Sequence, residues 1–204
     1  MIDPQVFTGG MAMTNGYLFE GPEGWILVDA PEGIASWLEK RDIKPRLLLL
    51  THQHYDHVID AAAVRAWSGC AVWSYAPFST ELTLEVFLQA AGLDLTVAPF
   101  EVDRVLGGGT DTDLAGLPCS IRHVPGHARD ALVFHFTNEM TVFCGDTLFA
   151  GGVGRTDLPG GSWADLLAGI ERHLLSLPEE TLLFPGHGEE TTVGEEKRSN
   201  PYLR

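Results

Sequence analysis

Cysteine is scarce in this chain, which has three among 204 residues: Cys70, Cys119 and Cys144. They are odd in number, far apart and outside any Cys-x-x-Cys pattern. This spacing fits reduced thiols in a cytosol rather than a disulfide framework. Two of them lie in apolar stretches, where we expect them in the core.

Positive charge is also in short supply. Lys and Arg number 13 against 28 Asp and Glu, which gives a formal net charge of -15 and a pI near 4.7. A nucleic acid or an anionic membrane would be repelled by this charge, so neither is expected as a partner. The acidity itself needs no explanation beyond solubility, and a small-molecule substrate is compatible with it.

Long apolar runs and a targeting segment are missing as well. The N-terminal residues have no basic region followed by an apolar stretch, and no window reaches membrane-spanning length without charge. We therefore expect a soluble, unexported, cytoplasmic protein. With 45% hydrophobic residues, the length suits one well-packed domain over residues 1–204.

Short apolar segments separated by helical patterns predict an α/β protein in which strands dominate. A turn at residues 21–24 predicts a hairpin between the first two strands, and residues 106–110 are predicted to be a loop. Strands are predicted over residues 17–20, 25–29, 47–50, 119–124, 131–136, 141–144 and 182–184. Helices are predicted over residues 33–41, 58–68, 79–91 with Ser79 as cap, and 163–175 with Ser162 as cap.

The first of two chemically distinctive features is a histidine cluster that directly follows the apolar 47–50 strand. Within six positions it contains His52, His54, Asp56 and His57. His52 and His54 are two apart, so their side chains point the same way on an extended chain, whereas the other two face a neighbouring point. One cluster could therefore serve two adjacent metal ions. A solvated histidine-rich turn is the simpler alternative, but it needs no carboxylate among the imidazoles.

The second feature is that three later strands each end in a glycine followed by a potential metal ligand: His127, Asp146 and His187. Glycine permits a sharp reversal and a close backbone approach, which would turn the next side chain over the end of a sheet. A single histidine or aspartate after a strand is more often a turn residue. Three such sites together with the first cluster favour a metal centre.

Five imidazoles and two carboxylates exceed the needs of two three-ligand sites by one, and the extra carboxylate could bridge two metal ions. Donors without thiolate suit zinc, iron or manganese. The remaining histidines, His123, His135 and His173, are interpreted as structural or surface residues.

These four motifs, in this order, resemble the metallo-β-lactamase superfamily. The resemblance implies an αβ/βα sandwich of two mixed sheets with helices outside and the active site at one edge. It assigns His52, His54 and His127 to one metal ion and Asp56, His57 and His187 to the second, with Asp146 bridging. Asp29 corresponds to a family aspartate that supports the ligand loop, or it is simply a turn residue.

Within the superfamily, the chain is most similar to short glyoxalase-II-like hydrolases. The similarity rests on the segments at residues 145–149, 185–188 and 200–204. Glyoxalase II proper continues into a helical segment whose positively charged residues bind glutathione. In this sequence the only positively charged residues after His187 are Lys197, Arg198 and Arg204. The 154–157 loop is similar to short glyoxalase-II-like proteins and persulfide dioxygenases. Arg129 departs from the family pattern and either alters the pocket mouth or pairs with an acidic neighbour.

The first functional hypothesis is hydrolysis of a thioester, possibly of glutathione or another thiol, by a hydroxide that bridges two divalent metal ions, most simply zinc. Asp56 and Asp146 are the catalytic candidates, Asp56 as a group that orients the hydroxide.

The alternative is a mononuclear iron persulfide dioxygenase that uses His52, His127 and Asp146 as a two-histidine, one-carboxylate set. A third possibility is a non-catalytic metal-binding module. Three protein ligands per metal ion leave open coordination positions, which argues for catalysis over a structural site.

Overall fold

The computed structural model describes residues 2–203, so Met1 and Arg204, the last residue of the 200–204 segment, lie outside it. The helices, α1 to α6, are Ile34–Glu39, Tyr55–Val58, Ala61–Ser68, Glu85–Ala90, Trp163–His173 and Val193–Ser199. The strands, β1 to β14, are Gln5–Gly9, Thr14–Gly21, Gly24–Val28, Leu47–Leu49, Ala71–Ser74, Arg104–Val105, Gly109–Leu114, Leu117–His123, Leu132–Phe136, Thr141–Gly145, Leu148–Phe149, Gly152–Val153, Leu182–Pro185 and Thr191–Thr192.

Two mixed sheets of six strands account for most of the strand residues. The first has the order β1-β2-β3-β4-β5-β6, antiparallel from β1 to β3 and parallel from β3 to β6. The second has the order β14-β13-β10-β9-β8-β7, in which only β10 and β13 pair in parallel. Strands β11 and β12 form a separate hairpin.

Three apolar layers hold the sheets and helices together. Leu18 and Leu48 lie on the outer face of the first sheet and pack against α1 and α3, which contribute Leu38 and Val64. The outer face of the second sheet packs in the same way against α5 and α6. Central strands such as β4 and β10 are buried on both faces, and their sequences are accordingly almost continuously apolar. The predicted αβ/βα sandwich is confirmed.

The layer between the sheets is built around aromatic rings. Phe143 on β10 stacks on Phe19 with ring centroids 5.1 Å apart, and it contacts Tyr17 and Phe184 at 5.3 Å each. Phe136 meets it edge-on at 5.9 Å. These contacts tie β2 of one sheet to β9, β10 and β13 of the other, so they set the distance between the sheets at the edge where the ligands lie.

The strands that precede the candidate ligands end at the same edge of the sandwich. Strands β3 and β4 are parallel, as are β10 and β13, and β8 runs in the direction of β10 because both pair antiparallel with β9. The loops after β4, β8, β10 and β13 carry the ligand motifs. Parallel alignment therefore collects residues that are up to 135 positions apart, from His52 to His187.

The helix predicted over residues 58–68 is wrong in its start and in its continuity. Helix α2 begins at Tyr55, and the chain breaks before α3 begins at Ala61. Asp60 lies at the break, where its carboxylate accepts hydrogen bonds from the backbone N–H groups of Gly33 (2.9 Å) and Ala35 (3.0 Å). Asp60 thus stabilises the start of α1, because the N-cap residue of this helix is Gly33 and has no capping side chain.

The helix predicted over residues 79–91 is shorter than the pattern suggested. Only Glu85–Ala90 is helical, because Leu84 adopts a left-handed conformation with φ 62°. The Ser79 hydroxyl accepts a hydrogen bond from the Glu81 N–H at 3.3 Å, so it caps a turn and not the helix. Ser162, by contrast, caps α5 as predicted, through the Asp165 N–H at 3.3 Å.

Several elements carried no clear sequence signal. Strands β1, β5, β6 and β7, the β11–β12 hairpin, β14 and α6 were not predicted, and Gly109 and Thr110 belong to β7, not to the predicted loop. The hairpin predicted around residues 21–24 is confirmed as β2 and β3. Within residues 2–203, no helix is long and apolar enough to cross a membrane.

Replacing Phe143 by alanine should destabilise the protein by about 3–5 kcal/mol, because the residue is fully buried among four other rings. Urea unfolding followed by circular dichroism would measure the loss. Phe87→Ala is the matched control, since that side chain is 45% exposed on α4 and should change stability by less than about 1 kcal/mol. Equal losses for the two variants would contradict the assigned core.

Candidate metal centre

The seven predicted ligands converge at one edge of the sandwich. Potential metal-binding atoms lie within 4.8 Å of one another in three groups. The groups are His52, His54 and His127; His52, His57 and Asp146; and Asp56, His57 and His187. The first and third groups match the division that the family resemblance implies. That these side chains hold metal stays a prediction, but the structure brings all of them together.

Asp146 lies between the two outer groups. One oxygen, Oδ1, is 3.3 Å from His57 Nε2, and the other, Oδ2, is 3.4 Å from His127 Nε2 and 3.3 Å from His187 Nε2. Asp56 Oδ2 is 3.4 Å from His187 Nε2. Asp146 therefore faces members of both groups, the position that a bridging carboxylate requires.

Four imidazoles are oriented by hydrogen bonds on the side away from this centre. The Nδ1 atoms of His127 and His187 donate to the carbonyl oxygens of Arg155 (2.9 Å) and Ala12 (3.1 Å). His57 Nδ1 lies 2.8 Å from a carboxylate oxygen of Asp29, and His52 Nδ1 lies 3.1 Å from Thr51 Oγ1. Because the Nδ1 atoms act as donors, the Nε2 atoms are left to face the centre, as in protein metal sites.

Asp29 supports the ligand loop through three hydrogen bonds. Its buried carboxylate accepts from the Thr51 N–H (2.8 Å), the Thr51 hydroxyl (2.7 Å) and His57 Nδ1. Since the hydroxyl hydrogen of Thr51 points to Asp29, His52 must be the donor in its contact with Thr51. Asp29 also has a left-handed φ of 59°, so it is a turn residue and a support at once.

Glycine is required before each of the three later candidate ligands for reasons of space, and at Gly126 a Cβ would lie 2.4 Å from the backbone nitrogen of Leu166. A Cβ at Gly186 would lie 2.1 Å from Asp146 Oδ1 and 2.6 Å from His57 Cε1. At Gly145, which has a φ of 49°, a Cβ would lie 2.5 Å from Thr51 Oγ1. Neighbouring atoms already fill the space beside each of these glycines, so a side chain on any other residue would clash with them.

Burial keeps three of the imidazoles neutral. Desolvation and neighbouring imidazoles lower the pKa of His52 well below 6.5 and that of His54 to about 3, and desolvation also lowers the pKa of His127. A neutral imidazole has a free lone pair on one nitrogen. This group is therefore ready to bind a metal ion without losing a proton.

In the group of Asp56, His57 and His187, nearby carboxylates raise the pKa values of the imidazoles and outweigh the effect of burial. Burial would lower the pKa of His187, but Asp146 and Asp56 raise it to about 10, and the same carboxylates together with Asp29 raise that of His57. Burial would raise the pKa of Asp146, but His57 and His187 hold it well below its ordinary range. Without metal, protons on these two imidazoles balance the charge of the carboxylates.

The donor set fits a metal centre. Four buried atoms that face the centre have no hydrogen-bond partner of acceptable geometry: His52 Nε2, His57 Nε2, His127 Nε2 and Asp146 Oδ1. Leaving several polar atoms buried and unpaired is costly, and metal coordination is the interaction that would satisfy them together. Within residues 2–203, no such group of metal donors includes His123, His135 or His173.

Sequence reasoning missed several residues that hold the ligands in place. Thr14 donates its hydroxyl to Asp56 Oδ2 at 2.7 Å, and the Asn15 N–H donates to the Gly186 carbonyl at 2.8 Å. Buried Asp130 accepts from the Gln53 N–H, between two ligands, at 2.9 Å. The hydrogen bonds of Asn15 and Asp130 join segments that pair only after both sheets form, so no local pattern signals them.

Arg129, which departs from the family pattern, pairs with Glu81 at 2.8 Å. Both side chains are more than half exposed, so this contact adds little stability. The expectation of an acidic neighbour is met.

Replacing Asp29 by asparagine should weaken zinc binding about 10–100-fold, because an amide cannot accept all three hydrogen bonds that orient His57 and Thr51. Competition with a chromophoric chelator would measure the affinity. Asp60→Asn is the matched control: it alters a carboxylate that caps α1 and should leave zinc affinity unchanged. Wild-type affinity in the Asp29 variant would contradict the supporting role.

Metal binding should release protons, because the pKa of His187 is raised from 6.5 to about 10 by Asp146 and Asp56. The imidazole is therefore protonated without metal. Calorimetric zinc titration near pH 8 in two buffers of different ionisation enthalpy should show about one proton or more released per chain. A binding heat independent of the buffer would contradict this.

The same pKa shift has a consequence for the metal-free protein. The stabilisation from protonated His187 is fully present below about pH 6.5 and is lost as the pH rises through about 10.

Comparison with known proteins agrees with this geometry. The model of the metallo-beta-lactamase superfamily matches residues 9–187. Hydroxyacylglutathione hydrolase GloC of Haemophilus influenzae is 36% identical over 174 residues, which cover 84% of this chain and 82% of the relative.

Two solved structures match almost the whole chain. BLEG-1 B3 metallo-beta-lactamase has a TM-score of 0.88 at 30% identity and covers 98% of this chain and 99% of its own. TTHA1623 in a di-iron-bound form has a TM-score of 0.84 at 35% identity, with coverage of 98% and 100%. The chain therefore belongs to the metallo-beta-lactamase superfamily.

Proposed function

We propose that the protein is a metal-dependent hydrolase that cleaves a thioester at a dinuclear centre. The observation that carries the proposal is the convergence of five imidazoles and two carboxylates, four of which have a centre-facing atom that is buried without a hydrogen-bond partner. A structural zinc site is usually closed by four protein ligands, often thiolates. Two three-ligand groups with a shared carboxylate leave positions open for water and substrate.

The donor set suits two divalent ions of zinc, iron or manganese, since nitrogen and carboxylate ligands do not select strongly among them. The di-iron form of TTHA1623 supports two ions in this fold. His52, His54 and His127 would hold one ion and Asp56, His57 and His187 the other, with Asp146 between them.

When bound, two such ions polarise an acyl oxygen and lower the pKa of water toward neutrality. The chain's own residues supply the geometry. Asp146 presents one oxygen toward His57 and the other toward His127 and His187, and Asp56 is fixed by the Thr14 hydroxyl. The Thr14 hydroxyl therefore holds Asp56 Oδ2 beside His187 Nε2, where this carboxylate would bind an ion and could orient water.

A cysteine nucleophile does not fit this site. Cys70, Cys119 and Cys144 are all buried, and desolvation raises the pKa of each thiol, that of Cys144 to about 12. A buried neutral thiol is a poor nucleophile. Water is thus the attacking group in the proposed reaction.

The thioester assignment rests on similarity to the hydroxyacylglutathione hydrolase and on the shared segments around Asp146 and His187. The proposed partner is a small thiol ester, with no nucleic acid or membrane involved. Of the cationic residues after His187, Arg198 is already paired with Glu195 at 3.0 Å and Glu179 at 3.7 Å. Glutathione is therefore one candidate thiol among others.

Zinc-loaded protein should hydrolyse S-lactoylglutathione, and Asp146→Ala should lower kcat/KM at least about 100-fold, because it removes the shared carboxylate. Thiol release measured with a chromogenic reagent would give the rate. Asp165→Ala, which removes an exposed carboxylate in the first turn of α5, is the control and should keep wild-type activity.

Equal rates for the wild type and the Asp146 variant would contradict the mechanism. The same preparations should also be tested for oxygen consumption with glutathione persulfide. Uptake of oxygen by protein with one iron per chain would replace the hydrolase proposal with the dioxygenase. Two metal ions without oxygen uptake would exclude the dioxygenase.

A further inference from the structure

A cavity of about 260 Å³ adjoins the candidate metal centre, and Asp56 forms part of its wall. The Ala12 carbonyl, which accepts the hydrogen bond from His187 Nδ1, belongs to another wall residue. Pockets for whole small molecules are commonly about 300–1,000 Å³. This cavity is therefore suited to one part of a substrate whose reacting group lies at the metal centre.

The wall of the cavity is largely apolar. Its lining includes Met11, Tyr55, Ile59 and Leu95, and none of its lining residues is Lys, Arg or His. The acidic groups are Asp56 at the centre and Glu32, which is exposed. A carboxylate on the ligand would find no cation here and would be repelled by Glu32.

Met11 is 86% exposed on the β1–β2 turn, an unusual position for a large apolar side chain. Methionine adapts its shape readily and is common on surfaces that bind varied apolar ligands. Its neighbour Met13 is 62% exposed on the same turn but does not line the cavity. Met11 therefore lines the cavity while it remains largely open to solvent, and Met13 lies outside the cavity.

Near His127, unlike in the cavity beside Asp56, the neighbouring side chains are charged. Arg129 and Arg155 lie near His127: one is two residues away in sequence, and the other provides the carbonyl that binds His127 Nδ1. Both guanidinium groups are more than half exposed, and each is paired with a carboxylate, Arg129 with Glu81 and Arg155 with Asp157. A substrate that spans the centre would thus meet polar, ion-paired side chains at the His127 end and an apolar cavity at the Asp56 end.

We infer that the cavity binds the acyl group of the thioester and that this group is an apolar chain, with the thiol portion lying toward His127. The inference rests on the proposed thioester hydrolysis and adds the substrate class. A lactoyl group, small and hydroxylated, would leave most of the apolar wall unfilled.

A chain-length series would test the inference. For zinc-loaded protein acting on acetyl-, butanoyl- and hexanoylglutathione, kcat/KM should rise about threefold to fourfold per added methylene until the cavity is filled, since burying one methylene contributes about 0.8 kcal/mol. Values within twofold of each other across the series would overturn the inference while leaving the hydrolase intact.

Binding of non-hydrolysable thioethers separates the cavity from the chemistry. By calorimetry, S-hexylglutathione should bind zinc-loaded wild-type protein at least tenfold more tightly than S-methylglutathione. Met11→Glu should abolish this preference, whereas Met13→Glu, which adds the same charge to the same turn, should retain it. Equal effects of the two substitutions, or no preference in the wild type, would overturn the assignment of the cavity.

The two proposals fail differently. A hexyl preference without cleavage of any thioester would refute the hydrolase and the acyl assignment while showing that the cavity binds alkyl chains. Cleavage without a hexyl preference would refute the cavity assignment alone.

Discussion

The carboxylate of Asp29 is the contact on which the arrangement of the centre depends most. It is buried at the end of β3 and accepts three hydrogen bonds from the loop after β4. Through His57 directly and through Thr51 to His52, it determines which nitrogen of two imidazoles faces the centre. This carboxylate can remain buried because three hydrogen-bond donors satisfy its oxygens.

The two imidazoles that follow strands of the second sheet are oriented by backbone carbonyls instead. The oxygens of Arg155 and Ala12 orient His127 and His187, and the backbone at Gly186 passes so close to Asp146 that no side chain fits between them. Ligands from both sheets meet at one edge, so an ion bound there would join the two halves of the sandwich. Folding stability and metal affinity should therefore be linked.

The residues that converge at the candidate centre could be picked out from sequence because their signals are local: a strand that ends in closely spaced histidines, and a glycine before each later candidate ligand. The supporting residues could not be found in this way. Thr14 and Asn15 lie on a strand with no unusual composition, and Asn15 reaches the 185–188 segment only through the finished sheets. The break at Asp60 was not predicted either, because this residue caps α1 through hydrogen bonds to Gly33 and Ala35, which are distant from it in sequence.

Anomalous diffraction from crystals grown with zinc tests the central claim most directly, namely that these seven side chains hold two metal ions. Two peaks about 3.5–4 Å apart are expected, one beside His52, His54 and His127 and the other beside Asp56, His57 and His187, with Asp146 between them. A single peak, or peaks away from these residues, would contradict it.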